Sequence, residues 1–209
     1  MNVYKNVTGT TKYTHIHSGS DTVCFMFSGA GYTYEKPLFY YSTMLMLEKK
    51  IDIVQVHYSF KEDILKKPMD EMIDTMMNDV NPVLSEVLTQ HAYQSVIFLG
   101  KSLGTIPIAC DLMQRETFAD AKMILLTPLL KLDPVLEGML HSEHEQLLVI
   151  GDKDPHYNNE QLLTLGRKGI HTSIISEGNH SLDAGLYDTH NSLDALTEVM
   201  TQIKYFIEK

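Results

Sequence analysis

Val96-Ile97-Phe98-Leu99-Gly100-Lys101-Ser102-Leu103-Gly104 is the stretch whose reading decides the fold. Its first half is a short continuous apolar run, the pattern of a strand buried on both faces. Its second half sets a serine between two glycines, and a helix-like stretch follows from Thr105. The first glycine relieves crowding where the strand turns, and the second lets the new helix pack close behind the serine. Together they predict a sharp strand–turn–helix that holds Ser102 in a strained conformation, its Oγ exposed at the carboxyl edge of a sheet. The backbone N–H of Leu103 then points at the same spot. A rival reading takes Gly100-Lys101-Ser102 as the tail of a phosphate-binding loop. That loop needs a glycine five positions before its Gly-Lys pair. Ser95 stands there and the intervening residues are bulky and apolar, so a nucleotide-phosphate cradle is set aside.

Outward from this turn, short apolar runs at 22–27, 51–56, 95–99, 122–126, 147–150 and 172–175 read as buried strands. Amphipathic stretches at 38–49, 69–91, 105–116, 135–144, 159–168 and 192–208 read as helices between them. Such alternation predicts an α/β fold with a mostly parallel sheet covered on both faces. Residues 3–7 and 12–17, around a Thr-Gly turn, predict an antiparallel hairpin on the sheet edge. The sequence contains no internal repeat, low-complexity tract or linker, so 1–209 reads as one domain.

Composition narrows the function classes. A formal net charge of -10 argues against a nucleic-acid groove or an anionic membrane surface. The amino-terminal stretch is polar and no apolar run approaches the length of a membrane span. Cys24 and Cys110 sit among apolar neighbours and read as reduced core residues, which suits a cytoplasmic protein. The surplus of methionine, 12 residues against no tryptophan, reads as filler for core gaps.

In open parallel sheets, ligands bind beyond the carboxyl ends of the strands. A serine hydroxyl there needs a base within hydrogen-bond reach, and the base needs an acceptor that fixes its tautomer. The loop after residue 150 reads Gly151-Asp152-Lys153-Asp154-Pro155-His156-Tyr157, and the loop after residue 175 reads Ser176-Glu177-Gly178-Asn179-His180-Ser181-Leu182. Both follow predicted strands and emerge at the edge that carries Ser102. Ser102, Asp154 and His180 fall in the chain order Ser…Asp…His.

With these residues the chain resembles the α/β-hydrolase superfamily, and within it the small esterases of the dienelactone-hydrolase type. Gly100–Gly104 matches the nucleophile elbow, Gly151-x-x-Asp154 the acid loop, Gly178-Asn179-His180 the base loop, and Phe27-Ser28-Gly29-Ala30-Gly31 the oxyanion loop. The resemblance runs from about residue 20 to the end of the chain. It implies an α/β-hydrolase fold with a minimal lid and a serine hydrolase acting on small carboxylic esters through an acyl-enzyme on Ser102. His180 would be the base and Asp154 its orienting acid, with Asp152 and Asp133 as alternative acids. Leu103 would give one oxyanion donor, and Ala30, or alternatively Gly31, the other. Many relatives carry His-Gly where this chain has Ser28-Gly29, so the hydrogen bonds supporting that turn differ.

No cofactor or metal is implied, and the expected partner is a small-molecule ester or thioester. A thioesterase, peptidase or acyltransferase with the same triad is the alternative among enzymes. A hydrolase-like binding module without catalysis is the alternative of another class. Only residues 127–146 separate two strands where lids are often inserted, room for one helix and its turns. Tyr32, Tyr34, Tyr40, Tyr41 and Tyr58 follow strand ends, and some of them are expected to line the pocket while others pack against helices. Lys101 reads as a solvated or partly buried charge. His141 and His144 have metal-ligand spacing but no third ligand of clear placement, and read as a polar helix face. Asp183, Asp188, His190 and Asp194 read as loop and N-cap residues.

Overall fold

The computed structural model describes residues 1–59 and 64–209. Eight strands form one sheet: β1 (Asn2–Thr8), β2 (Thr11–His17), β3 (Thr22–Phe27), β4 (Asp52–His57), β5 (Ser95–Lys101), β6 (Lys122–Leu126), β7 (Gln146–Gly151) and β8 (His171–Ile175). Their spatial order is β1-β2-β4-β3-β5-β6-β7-β8. The hairpin β1–β2 is antiparallel and joins β4 antiparallel, while β4 through β8 are mutually parallel. The helices are α1 (Pro37–Glu48), α2 (Met69–Gln90), α3 (Thr105–Cys110), α4 (Asp133–His141), α5 (Asn159–Arg167) and α6 (Thr189–Ile207).

Strand residues alternate between two apolar layers, as the period of two requires. Phe25, Phe27 and Phe98 join Met76, Val80 and Val87 of α2 on one face. Cys24, Met26 and Leu99 join Phe39 and Met46 of α1 and Val199 and Ile203 of α6 on the other. Burial on both sides accounts for the nearly unbroken apolar runs in the sequence. The parallel register sets Phe27 beside Gly100, Lys101 beside Leu126 and Gly151 beside Ile175. The turns that leave β3, β5, β7 and β8 therefore share one rim.

The structure departs from the sequence reading after the serine turn. The helix expected over 105–116 stops at Cys110, and two 3-10 turns follow, Leu112–Gln114 and Glu116–Phe118. Asp111 breaks the helix at φ -137°, ψ -62°, with its carboxylate 2.5 Å from the Arg115 guanidinium. Gly138 of α4 backs directly onto Ala109, where an added β-carbon would fall 2.0 Å from the Ala109 carbonyl oxygen. The helix expected over 135–144 is likewise shifted and ends at His141, which places His144 in the loop beyond it. There His144 bonds to Ser142 and to the Phe118 carbonyl oxygen as a loop anchor, a correction to its reading as part of a polar helix face. Among the described residues no helix is long and apolar enough to cross a membrane.

Candidate active site

Ser102 sits where β5 gives way to a 3-10 turn, Ser102–Gly104, and its φ is 54°. A non-glycine residue holds that left-handed conformation only when its surroundings enforce it. The two glycines are those surroundings. A β-carbon on Gly104 would fall 2.0 Å from the Phe27 carbonyl oxygen, and one on Gly100 would fall 2.3 Å from the Gly104 carbonyl oxygen. Thr105 closes the turn by donating its hydroxyl to the Ser102 carbonyl oxygen at 2.6 Å.

His180 lies on the loop after β8. Asn179 shapes that loop by accepting at Oδ1 from the backbone of Ser181 at 2.7 Å and of Asp183 at 3.2 Å. The loop after β7 leans on the same segment: Lys153 N–H donates to the Gly178 carbonyl at 2.9 Å, and Asp152 N–H to that of Ile175 at 3.1 Å. The structure brings three of the expected residues together. His180 Nε2 is 2.8 Å from Ser102 Oγ, and His180 Nδ1 is 2.7 Å from Asp154 Oδ2. The Asp154 side chain is fully buried, whereas that of His180 is 31% exposed. Burial by itself would raise the Asp154 carboxyl. Hydrogen bonds from His180 and from the His156 backbone N–H, with the charge of both imidazoles, outweigh it and hold the group below the usual aspartate range.

The alternative acids lie elsewhere. Asp133 is exposed in the first turn of α4, and Asp152 lies 3.6 Å from the Lys153 ammonium. Leu103 is buried directly after the serine. Gly29, Ala30, Gly31 and Tyr32 form a turn in which Tyr32 N–H donates to the Gly29 carbonyl at 3.2 Å, with Gly31 at φ 65° in the third position. This turn abuts the serine: a β-carbon on Gly29 would stand 3.2 Å from Ser102 Cβ. The turn that carries Ala30 and Gly31 thus packs against Ser102, and Leu103 follows the serine directly in the chain.

A cleft of about 630 Å³ is lined by Asn179 and Ser181, the chain neighbours of His180, and walled by Tyr32, Leu38, Leu182 and Leu196, while Ser102, Asp154 and His180 themselves lie outside its lining. Of the five tyrosines considered from the sequence, Tyr32 lines this cleft. Tyr34 and Tyr58 pack inward, while Tyr40 and Tyr41 are exposed on α1. Asp188 caps α6 by accepting from Asn191 N–H at 3.0 Å, in line with its N-cap reading. Asp183 borders the cleft.

Lys101 requires a correction. It is 2% exposed, with its ammonium 4.7 Å above the centre of the Tyr32 ring. Burial pulls its pKa down to about 8, against the opposing pull of the Asp154 and Asp183 carboxylates. The sequence reading also passed over His156, whose ring lies 5.7 Å from that of His180 and whose pKa burial lowers. Its position two residues after Asp154 is the signal that could have found it.

A family model described as an alpha/beta hydrolase domain matches residues 20–208. The chain belongs to that family. No curated protein sequence matches it. Solved structures similar to it include an esterase from Pyrococcus furiosus, at 12% identity and a TM-score of 0.71, covering 99% of this chain and 91% of that one. A serine hydrolase without a lid from Xanthomonas campestris, XC6422, is 10% identical with a TM-score of 0.72 and coverage of 99% and 93%. Est1E from Butyrivibrio proteoclasticus, solved with ferulic acid bound, is 12% identical with a TM-score of 0.66 and coverage of 99% and 100%. At these identities the likeness is one of fold.

Proposed function

We propose that this chain is a serine hydrolase that cleaves small carboxylic esters through an acyl-enzyme on Ser102. The reading rests on one observation: the His180 ring spans Ser102 Oγ at 2.8 Å and Asp154 Oδ2 at 2.7 Å. In the first half-reaction Ser102 Oγ bonds to the ester carbonyl carbon while its proton passes to His180 Nε2. Asp154 accepts from Nδ1–H, keeps the tautomer that presents Nε2 to the serine, and stabilises the imidazolium. The carbonyl oxygen becomes an oxyanion held by the N–H of Leu103 and that of Ala30. A single such donor contributes about 3 kcal/mol to the transition state. Collapse breaks the bond to the alkoxide, which leaves with the proton from Nε2. Water then repeats the sequence on the acyl-enzyme, giving its proton to His180, and frees the acid and Ser102.

The mostly apolar walls of the cleft suit a short acyl or alcohol group. With only α4 between β6 and β7, the reading favours small, soluble esters over long lipid chains. A cytoplasmic setting goes with it, supported by Cys24 and Cys110, both free thiols with apolar neighbours. The test is covalent labelling by a fluorophosphonate probe, followed by turnover of p-nitrophenyl esters of rising acyl length. Labelling of the wild type, its loss in Ser102→Ala, and a preference for short acyl chains are expected. An unlabelled wild-type protein at neutral pH overturns the reading. Labelling without turnover of any ester, alongside hydrolysis of acyl-thioesters or amides, reassigns the substrate class.

A further inference from the structure

On the rim opposite Ser102, at the amino ends of the parallel strands, three imidazoles converge from distant parts of the chain. His15 and His17 alternate along β2 and so face the same side, and His91 follows the last turn of α2. Their ring centres are 5.3 Å (His15–His17), 5.0 Å (His15–His91) and 4.5 Å (His17–His91) apart. One ring nitrogen from each lies within 4.8 Å of those from the other two. Among the described residues this is the one cluster of three potential ligand side chains so arranged.

Two of the rings are held in a defined tautomer. Tyr93 donates its hydroxyl to Asp52 Oδ2 at 2.8 Å, so the 2.9 Å contact between that hydroxyl and His15 Nε2 is a bond in which the imidazole donates. His15 then carries its proton on Nε2 and presents a lone pair at Nδ1. His17 Nδ1 is 2.5 Å from the same Asp52 oxygen and donates to it, which leaves a lone pair at Nε2. Asp52 is fully buried, and its other oxygen accepts from Ser18 N–H at 2.8 Å and Oγ–H at 2.7 Å. Together with the contacts from His17 and Tyr93, these bonds engage both oxygens of the buried carboxylate. A carboxylate that orients one imidazole directly and a second through a tyrosine is the support that metal-bound histidines require.

We propose that His15, His17 and His91 bind one divalent ion of the zinc class, with Asp52 and Tyr93 as positioning residues. Neutral imidazoles suit zinc, copper or nickel over magnesium or calcium, and three of them with an open fourth position suit zinc. Zinc–nitrogen bonds of about 2.0–2.1 Å put tetrahedral donors roughly 3.3 Å apart, so small ring rotations close the set. The ion would tie the β1–β2 hairpin to the turn between α2 and β5, and takes no part in the chemistry at Ser102.

The test uses untagged protein stripped with chelator and then titrated with zinc chloride against a competing dye, with bound metal counted by elemental analysis. One zinc per chain, a rise in Tm with zinc, and visible bands of tetrahedral cobalt on substitution are expected. His91→Ala and His17→Ala lose the stoichiometric zinc, Tyr93→Phe weakens it about 10-fold, and His141→Ala and Ser102→Ala keep it. Retained fluorophosphonate labelling and circular dichroism establish that the His91→Ala and His17→Ala chains are folded. Sub-stoichiometric zinc in the wild type overturns the proposal. Full zinc in both ligand variants, or zinc lost with His180→Ala instead, overturns it equally.

Discussion

Gly151 and Gly178 meet so closely that a β-carbon on the first would fall 1.9 Å from the carbonyl oxygen of the second. This contact joins the loop that carries Asp154 to the loop that carries His180, whose side chains are 2.7 Å apart. Gly151→Ala must drive the two loops apart. Since a displacement of about 1 Å can cost roughly 100-fold in rate, kcat/KM for a p-nitrophenyl ester is expected to fall by about that factor. Unaltered kinetics in a folded Gly151→Ala protein would show that the loop contact does not position the pair.

Asp154→Asn keeps the shape of the acid but lets its amide donate where the carboxylate accepted. In the proposed mechanism the His180 tautomer that would receive the serine proton is then disfavoured, and kcat is expected to drop by about 10⁴-fold with KM little changed. Steady-state kinetics and the rate of fluorophosphonate labelling should fall in parallel. A small loss here, with a large one in Asp133→Asn or Asp152→Asn, would move the role to another acid.

In the proposed mechanism Ala30 and Gly31 are the two candidates for the second oxyanion donor, and proline separates them. Ala30 occupies the second position of the turn closed by Tyr32 N–H and the Gly29 carbonyl, a position that proline favours. Ala30→Pro therefore removes one N–H with little disturbance of the backbone. A fall of about 10²–10³-fold in kcat with unaltered Tm assigns the donor to Ala30. Near-normal kcat assigns it to Gly31.

Much of this arrangement was legible in the sequence because its causes are local. The strain at Ser102 is imposed by Gly100 and Gly104, and both occur in the same five residues. The parallel strands declare themselves as apolar runs because both faces of the sheet are covered. What escaped the sequence depends on segments that meet only in the fold. Lys101 is buried because Tyr32, from the turn after β3, lies beneath its ammonium. The three-histidine cluster was invisible because His91 is brought to His15 and His17 by the packing of α2, at a spacing that matches no motif. The helix after Ser102 looked longer than it is because Asp111 and Arg115, which pair beyond its end, also have ordinary helical spacing.

Lys101 allows a stability test with a definite sign. Its charge is disfavoured in the folded state, where its pKa is about 8 against an ordinary 10.5. Below pH 8 both the folded and unfolded chains carry the proton, and the folded state bears the whole cost of the buried charge, about 3 kcal/mol at most. Between pH 8 and 10.5 the unfolded chain binds more protons than the folded one, so wild-type stability gains with rising pH. Lys101→Met keeps the length of the side chain, removes the charge and forgoes the contact with Tyr32. It is expected to be more stable than wild type at pH 7 by about 1–3 kcal/mol, the difference shrinking steadily toward pH 10.5. Urea unfolding of both proteins at pH 7, 8.5 and 10 measures this. A Lys101→Met protein that is less stable at pH 7, or a difference that ignores pH, would mean that the ammonium over Tyr32 contributes more than its burial costs.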